Sequence, residues 1–194
     1  MGLAEYMKSS DYNPYSYDPN DVNSALNNVL TQYPKLKASK YNIIDSRGKQ
    51  KPDQGPKGGQ LEFYPADEAY NPMPGNPTIE VFNPNLRGKQ LETAIFGDLL
   101  HHAPNIIQGW QPLRQMFSRT ITPEQLAIDR RAYQQAQQDY GENRPFENWF
   151  MGSRLDAYIR GALAPDERNE WASTYTPQQK KILDYMRQTL QGGK

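Results

Sequence analysis

Two adjacent histidines, His101 and His102, are the only imidazoles in the chain, and the sequence has no cysteine. They follow residues 91–100, an apolar run with helical character. Zinc peptidases of the zincin class bind metal through His at positions i and i+4 of one helix, with Glu at i+1 as general base. In the aligned pentad, Gly97 replaces the first His and Asp98 replaces the Glu. A single imidazole holds zinc poorly, so we expect a catalytically inactive pseudo-site at Gly97, Asp98 and His101.

The same segment leaves a different metal site open. Asp98 and His102 are four residues apart and share a helix face, whereas His102 cannot replace the missing His because adjacent helical positions diverge by ~100°. Folding would have to add a further carboxylate to complete a site of two carboxylates and one histidine. The candidates for it are Glu92, Asp129 and Asp156.

A structural role explains these residues as well. Asp98 would hydrogen-bond an imidazole or a backbone group, and the two histidines would end the helix and complement its dipole. We expect this role and no cofactor. Zinc is the minority possibility, with Asp98, His101 and His102 as its candidate ligands. Gly97 inside a helix costs ~1 kcal/mol relative to Ala, which predicts close packing there, such as a strand or a partner lying against it.

Composition limits the classes of function. The 194 residues suffice for one domain with a modest core. The 22 basic and 22 acidic residues balance, so nucleic acid is not expected as a partner. No segment approaches the ~20 apolar residues of a membrane span, and the polar N-terminus does not resemble a secretory signal. Residues 35–59 carry most of the local basic excess and are interpreted as a solvated loop.

Residues 1–57 are predicted to form an extended arm rich in Tyr and Pro, with one short helix at about 19–33. Nine of the 16 prolines fall in residues 1–80. Tyrosine gives a large contact area with a polar tip, so Tyr12, Tyr15 and Tyr17 are candidates for docking on a partner. A plain unstructured tail explains the same composition.

The remaining residues, 58–194, are predicted to form an α+β domain. Strands are expected at Gln60–Tyr64 and Thr78–Phe82, and at Tyr41–Asp45 ahead of this domain, and together they give a small N-terminal antiparallel or mixed sheet. A helical bundle follows, because strands succeeded by helices indicate that class. Thr122 and Thr176 each precede Pro and stand three residues before Gln, which marks a helix start. Helices are predicted at about 90–102, 111–118, 123–140, 146–162 and 177–191.

Several segments together resemble a known kind of protein. The segments are Gln60–Pro65, Asn71–Gly75, Thr78–Val81 and Gly97–His102, with further similarity at 154–161 and 175–179. In this order they are similar to a zincin-like, usually degenerate region of bacteriophage and prophage virion-associated proteins. The resemblance covers roughly residues 58–190 and implies a particle component rather than a working protease.

Three functions are therefore considered. The leading hypothesis is a bacteriophage virion structural protein, either a head–tail or an internal, ejected component, that docks on other virion proteins in a multi-subunit assembly. It would be made in the host cytoplasm and reside in the virion, without a small-molecule substrate. The alternatives are a divergent metal-dependent hydrolase or peptidase that uses Asp98, His101 or His102, and an injected effector that binds a host protein.

Overall fold

A computed structural model of the chain describes residues 19–37, 40–47, 61–64, 72–73, 75–83, 85–164 and 174–193. A short 3-10 turn, Pro34–Leu36, follows the first helix. The strands are β1 (Asn42–Asp45), β2 (Leu61–Tyr64) and β3 (Thr78–Val81). The helices are α1 (Pro19–Gln32), α2 (Gly88–Ile106), α3 (Trp110–Ser118), α4 (Pro123–Tyr140), α5 (Phe146–Trp149), α6 (Leu155–Leu163) and α7 (Pro177–Gln191), with a π-helical segment, Phe150–Arg154, joining α5 to α6.

Most of the predicted boundaries are confirmed to within one or two residues, and the end of α2 is the main exception. The sequence predicts an end near residue 102, ahead of Pro104. The helix instead runs through Pro104 to Ile106 and closes with a bond from the backbone nitrogen of Ile107 to the carbonyl of Ala103. A proline in the last turn removes only one helical hydrogen bond, and the burial of Ala103 and Ile107 favours continuing the helix past it.

The three strands form one mixed sheet in the order β1, β3, β2. The β1–β3 pair runs parallel, with Ile43 opposite Ile79, and β2 runs antiparallel to β3. The α+β expectation is confirmed in its coarse form, a mostly helical chain with a small sheet. An antiparallel sheet throughout is wrong, because the long connection between β1 and β3 lets the chain return in the same direction. Ile79 and Val81 share the buried face of β3.

Residues 19–37 and 40–47 contribute to the same core as the later helices, although the sequence assigned them to an arm. Helix α1 packs on α2 through its buried face, which includes Val22 and Val29. The buried ring of Tyr33 lies 4.6 Å from that of Phe96, centroid to centroid, and its hydroxyl donates to the carbonyl of Leu163. The docking candidates Tyr12, Tyr15 and Tyr17 lie outside the described residues.

The interpretation of residues 35–59 as a solvated loop is wrong at Arg47. Its side chain is fully buried and bridges Asp21 on α1 and Asp45 at the end of β1, with nitrogen–oxygen distances of 2.5–2.9 Å. Its Nη1 also donates to the carbonyl of Leu86. Two carboxylates compensate the buried charge, so Arg47 fixes α1 and the segment before α2 to the sheet.

Helices α4 and α7 begin against each other through matched N-terminal caps. The hydroxyl of Thr122 accepts from the backbone of Gln125, the hydroxyl of Thr176 accepts from Gln179, and both glutamine side chains return the bond to the cap residue. The predicted starts are therefore confirmed. The two buried glutamines also bond each other, with Nε2 of Gln179 donating to Oε1 of Gln125 at 2.8 Å. Nε2 of Gln179 also donates to the carbonyl of Thr120.

We expect Gln179→Ala to lower the free energy of unfolding by about 1–3 kcal/mol, because it leaves the buried amide of Gln125 without this partner. The double variant with Gln125→Ala should cost less than the sum of the single variants. Chemical denaturation measures all three, and Gln178→Ala, exposed on the same turn, is the control. Additive costs would show that the two amides do not cooperate.

Candidate functional site

Gly97 lies where α6 crosses α2. A Cβ placed on Gly97 would lie 2.6 Å from Cδ of Arg160 and 3.0 Å from its Nη1. Real Cβ atoms do not approach other atoms this closely, so Arg160 occupies the space that a side chain would take. The predicted close packing at Gly97 is confirmed, and the neighbour is a side chain of this chain's own α6 rather than a strand or a partner.

Gly97→Ala tests this contact. In an Arg160→Ala background the substitution should raise stability by about 1 kcal/mol, the ordinary gain of Ala over Gly in a helix. In the otherwise unchanged chain the gain should be lost, because Arg160 must move. Chemical denaturation gives both values, and Arg131→Ala, exposed on α4, is the matched control background. An equal effect of Gly97→Ala in the Arg160→Ala and unchanged backgrounds would contradict the contact.

One turn further along α2, His101 joins three helices through Asp156. Nδ1 of His101 lies 2.8 Å from Oδ2 of Asp156 on α6, and Oδ1 of Asp156 accepts from Nε of Arg114 on α3 at 2.8 Å. Arg114 also donates to the carbonyl of Met151 in the π-helical segment at 2.8 Å. The hydrogen bond to Asp156 raises the pKa of His101, and partial burial opposes that rise. The His101 side chain remains 51% exposed.

Only one of the three carboxylates considered from the sequence reaches the histidines, and it is Asp156. Glu92 instead accepts from Asn28 at 2.8 Å and from Lys89 at 2.6 Å. Asp129 is fully buried and accepts from Nε of Arg154 and from the hydroxyl of Tyr158. Glu92 thus holds α1 to α2, and Asp129 holds α4 to the π-helical segment and α6.

Asp98 has an environment that the sequence did not predict. Its Oδ2 is buried, and the carboxylate makes no hydrogen bond to any residue that the structure describes. Burial raises its pKa to about 6, while the nearby charges of His101 and Arg160 oppose the rise. The expected hydrogen bond from Asp98 to an imidazole or backbone group is therefore wrong. The fold buries this carboxylate without a hydrogen-bond donor in reach among the described residues.

His102 is not positioned to complement a helix dipole. Helix α2 continues to Ile106, so the histidine pair does not end it, and the dipole acts mainly within the last turn. Burial lowers the pKa of His102 to about 4, and the neighbouring His101 adds to this. The two rings meet edge to face with centroids 5.1 Å apart. A neutral His102 supplies no positive charge at neutral pH.

No three His, Asp or Glu side chains come close enough to hold a metal ion within the described ranges. Of the candidate ligands Asp98, His101 and His102, the structure pairs His101 with Asp156 and stacks it on His102.

A pocket of about 380 Å³ opens beside Gly97, between α2, α6 and the segment that leads from β3. The two histidines, Asp98 and Asp156 do not line it. Its polar lining consists of Asn83, Asn85, Gln90, Thr93 and Arg160, and Leu86 and Ala94 complete it. Sequence reasoning missed this pocket. The nearest signal was Asn83-Pro84-Asn85, a polar turn just before the helix.

Asp98→Asn tests the buried carboxylate through its pH dependence. Asp98 has a pKa of about 6 in the folded chain, whereas its ordinary value is 3.8. The folded state therefore holds the proton more tightly, and this group's contribution to stability falls as pH rises between those values. The variant should be more stable than the unchanged chain by roughly 1–3 kcal/mol near pH 7.5 and about equal near pH 4.

Denaturation curves at both pH values measure the difference, with Asp139→Asn, exposed on α4, as the control for the same chemical change. A constant difference across the two pH values would contradict the assignment.

No protein-family model, curated protein or solved structure matches this chain. Within the part of the chain that the structure describes, the helices are too short or too polar for a membrane crossing. The resemblance to phage virion-associated proteins and the zincin-like character of the fold therefore stay predictions.

Proposed function

We propose that this chain is a non-catalytic structural protein of a bacteriophage particle and that it acts by docking on other virion proteins. The observation that carries the proposal is the link from His101 through Asp156 to Arg114, which joins three helices. The one imidazole that matches the zincin pentad is bound to Asp156, which Arg114 in turn ties to the π-helical segment. His101, Asp156 and Arg114 therefore join α2, α3 and α6. Hydrogen bonds between helices of this kind stabilise a structural scaffold.

The surroundings of the pentad support the same proposal. Catalytic groups generally border a concave pocket that holds the substrate, and the pocket on this face is lined by neither histidine. Asp98 stands at the position of the general base, yet its Oδ2 is buried. A general base must reach the proton that it removes, and a buried oxygen meets that need poorly.

Docking requires contact area, and two parts of the chain offer it. Tyr12, Tyr15 and Tyr17 bring three aromatic side chains into a short segment of sequence, and Tyr is common among residues that dominate binding energy at interfaces. On the described surface, large apolar side chains are exposed at Met116 and Tyr185. We assign the main docking contact to the tyrosine segment because it places three aromatic residues within six positions, whereas Met116 and Tyr185 are far apart in sequence.

The test is incorporation into particles. A triple variant, Tyr12→Ser with Tyr15→Ser and Tyr17→Ser, should enter purified particles at least about tenfold less than the unchanged chain, since losing ~1.4 kcal/mol of binding already costs that factor. Ile128→Ser, which removes an exposed apolar side chain of α4, is the control and should enter normally. Quantitative mass spectrometry of gradient-purified particles measures both.

Two results would overturn the proposal. Absence of the unchanged chain from particles would remove the virion role, and recovery with a host protein instead would favour the injected effector. Normal incorporation of the triple variant would remove the tyrosine segment as the docking contact.

The metal-dependent hydrolase is the second candidate, because the bond to Asp156 fits both functions and the other ring nitrogen of His101 has no hydrogen-bond partner among the described residues. A carboxylate bound to one ring nitrogen is the usual way in which proteins orient a metal-binding histidine, and Asp156 does this to His101. Nε2 of His101 makes no hydrogen bond to the described residues. If this candidate is right, His101→Ala abolishes a zinc-dependent turnover and leaves particle incorporation unchanged.

A further inference from the structure

The guanidinium of Arg160 lies at the pocket beside Gly97. It forms no hydrogen bond or ion pair with any residue that the structure describes. Asp98 interacts with it electrostatically and makes no hydrogen bond to it. A guanidinium that makes no hydrogen bond within the protein can offer up to five hydrogen-bond donors to a ligand in the pocket.

Carboxamides supply further donors around the same space. Oδ1 of Asn83 accepts from the backbone nitrogen of Asn85 at 2.8 Å, which leaves the amide nitrogen of Asn83 as a donor. The side-chain amides of Asn85 and Gln90 are exposed and make no hydrogen bond within the described residues. Among the residues that the structure describes, no Asp or Glu side chain lines the pocket. The described part of the wall therefore contributes one cation and three amides and no negative group.

Asn83 and Asn85 are held in place by hydrogen bonds made by the neighbouring Leu86. The carbonyl of Leu86 accepts from the buried Arg47, and the backbone nitrogen of Leu86 donates to the carbonyl of Asn83 at 3.2 Å. Arg47 itself is fixed by Asp21 and Asp45. These hydrogen bonds and ion pairs of Arg47 fix the wall of the pocket before a ligand binds. Less conformational freedom is then lost on binding, which lowers its entropy cost.

We propose that this pocket binds a carboxylate, with Arg160 as its ion-pair partner and Asn83, Asn85 and Gln90 as additional donors. The planar guanidinium fork matches a carboxylate with two parallel hydrogen bonds. A carboxylate group brings a single negative charge to the one cation among the described lining residues, whereas a doubly charged phosphate brings both charges to the same point. The inference goes beyond the docking function and does not rest on it.

The size and lining of the pocket indicate what carries the carboxylate. Its volume of about 380 Å³ exceeds the need of a lone ion, and Leu86 and Ala94 offer apolar contact to a short carbon chain. A free small dicarboxylic acid and the glutamate of a protein segment share this chemistry. They are two sources of one ligand group, and separate probes distinguish them.

The experiment is an NMR titration of the isotope-labelled full chain with succinate, and separately with a blocked tripeptide that carries a central glutamate. Neutral counterparts are succinamide and the tripeptide with glutamine, at matched ionic strength. We expect the acids, and not the neutral counterparts, to shift the side-chain amide signals of Asn83, Asn85 and Gln90 and the Nε–H signal of Arg160. Tighter binding of the tripeptide identifies a protein segment as the source, and tighter binding of succinate identifies a free acid.

Two variants make the test specific. Arg160→Gln should weaken binding of the acids about tenfold or more, the usual size of a lost charge-assisted pair. Arg131→Gln, which makes the same charge change on α4, should leave it unchanged. Gln90→Glu places a carboxylate at the rim and should weaken binding too, while Gln178→Glu on α7 should not. Gln90 is exposed in the first turn of α2, where Glu is compatible with the helix.

The proposal is overturned if the acids shift these signals no more than the neutral counterparts do. It is also overturned if Arg160→Gln and Arg131→Gln weaken binding equally, or if Arg160→Gln is misfolded and Gln90→Glu still binds normally. None of these results depends on particle incorporation, so failure of the carboxylate site and failure of the virion role are distinguishable.

Discussion

The burial of α2 among the other elements is the constraint on which the rest of the structure depends. Its side chains at Leu91, Ile95, Phe96 and Leu99 have no exposed surface, and each such side chain contributes roughly 1.5–3 kcal/mol when it leaves water. Helix α1, the sheet, α3 and α6 all contact it. The close crossing of α6 is possible because position 97 has no side chain, so Arg160 lies directly over the helix backbone.

Buried polar groups divide into two kinds around this helix. Arg47, Asp129 and the Gln125–Gln179 pair are bonded on several sides, and they join elements that are distant in sequence. Asp98 and the hydroxyl of Thr93 are buried without a partner among the described residues. Native proteins satisfy most buried polar groups, and the exceptions concentrate where a ligand, water or function is involved. Both exceptions lie on α2 near Arg160 and the pocket.

The ionisable groups of α2 act in opposite directions on stability. Asp98, with its raised pKa, makes the folded chain less stable as pH increases through the acid range, whereas His102, with its lowered pKa, makes it more stable over a similar range. Their effects partly cancel. The raised pKa of His101 adds stability that is fully present below about pH 6.5, the unperturbed value, and is lost as pH rises above it. The change in folding stability with pH that the whole chain shows is therefore smaller than the separate contributions of Asp98 and His102.

The sequence by itself determined the elements, and only the tertiary structure decided how they meet. Apolar periodicity and the Thr-Pro-x-Gln starts at Thr122 and Thr176 are local signals, so α4 and α7 could be predicted almost to the residue. The pentad of Gly97, Asp98 and His101 was visible in the same way. Nothing local could show that Asp156 bonds His101 or that Arg160 covers Gly97, because these residues are more than 50 positions apart in sequence. Such contacts form only when α2 and α6 cross, and the burial of both helices, rather than any motif, sets that crossing.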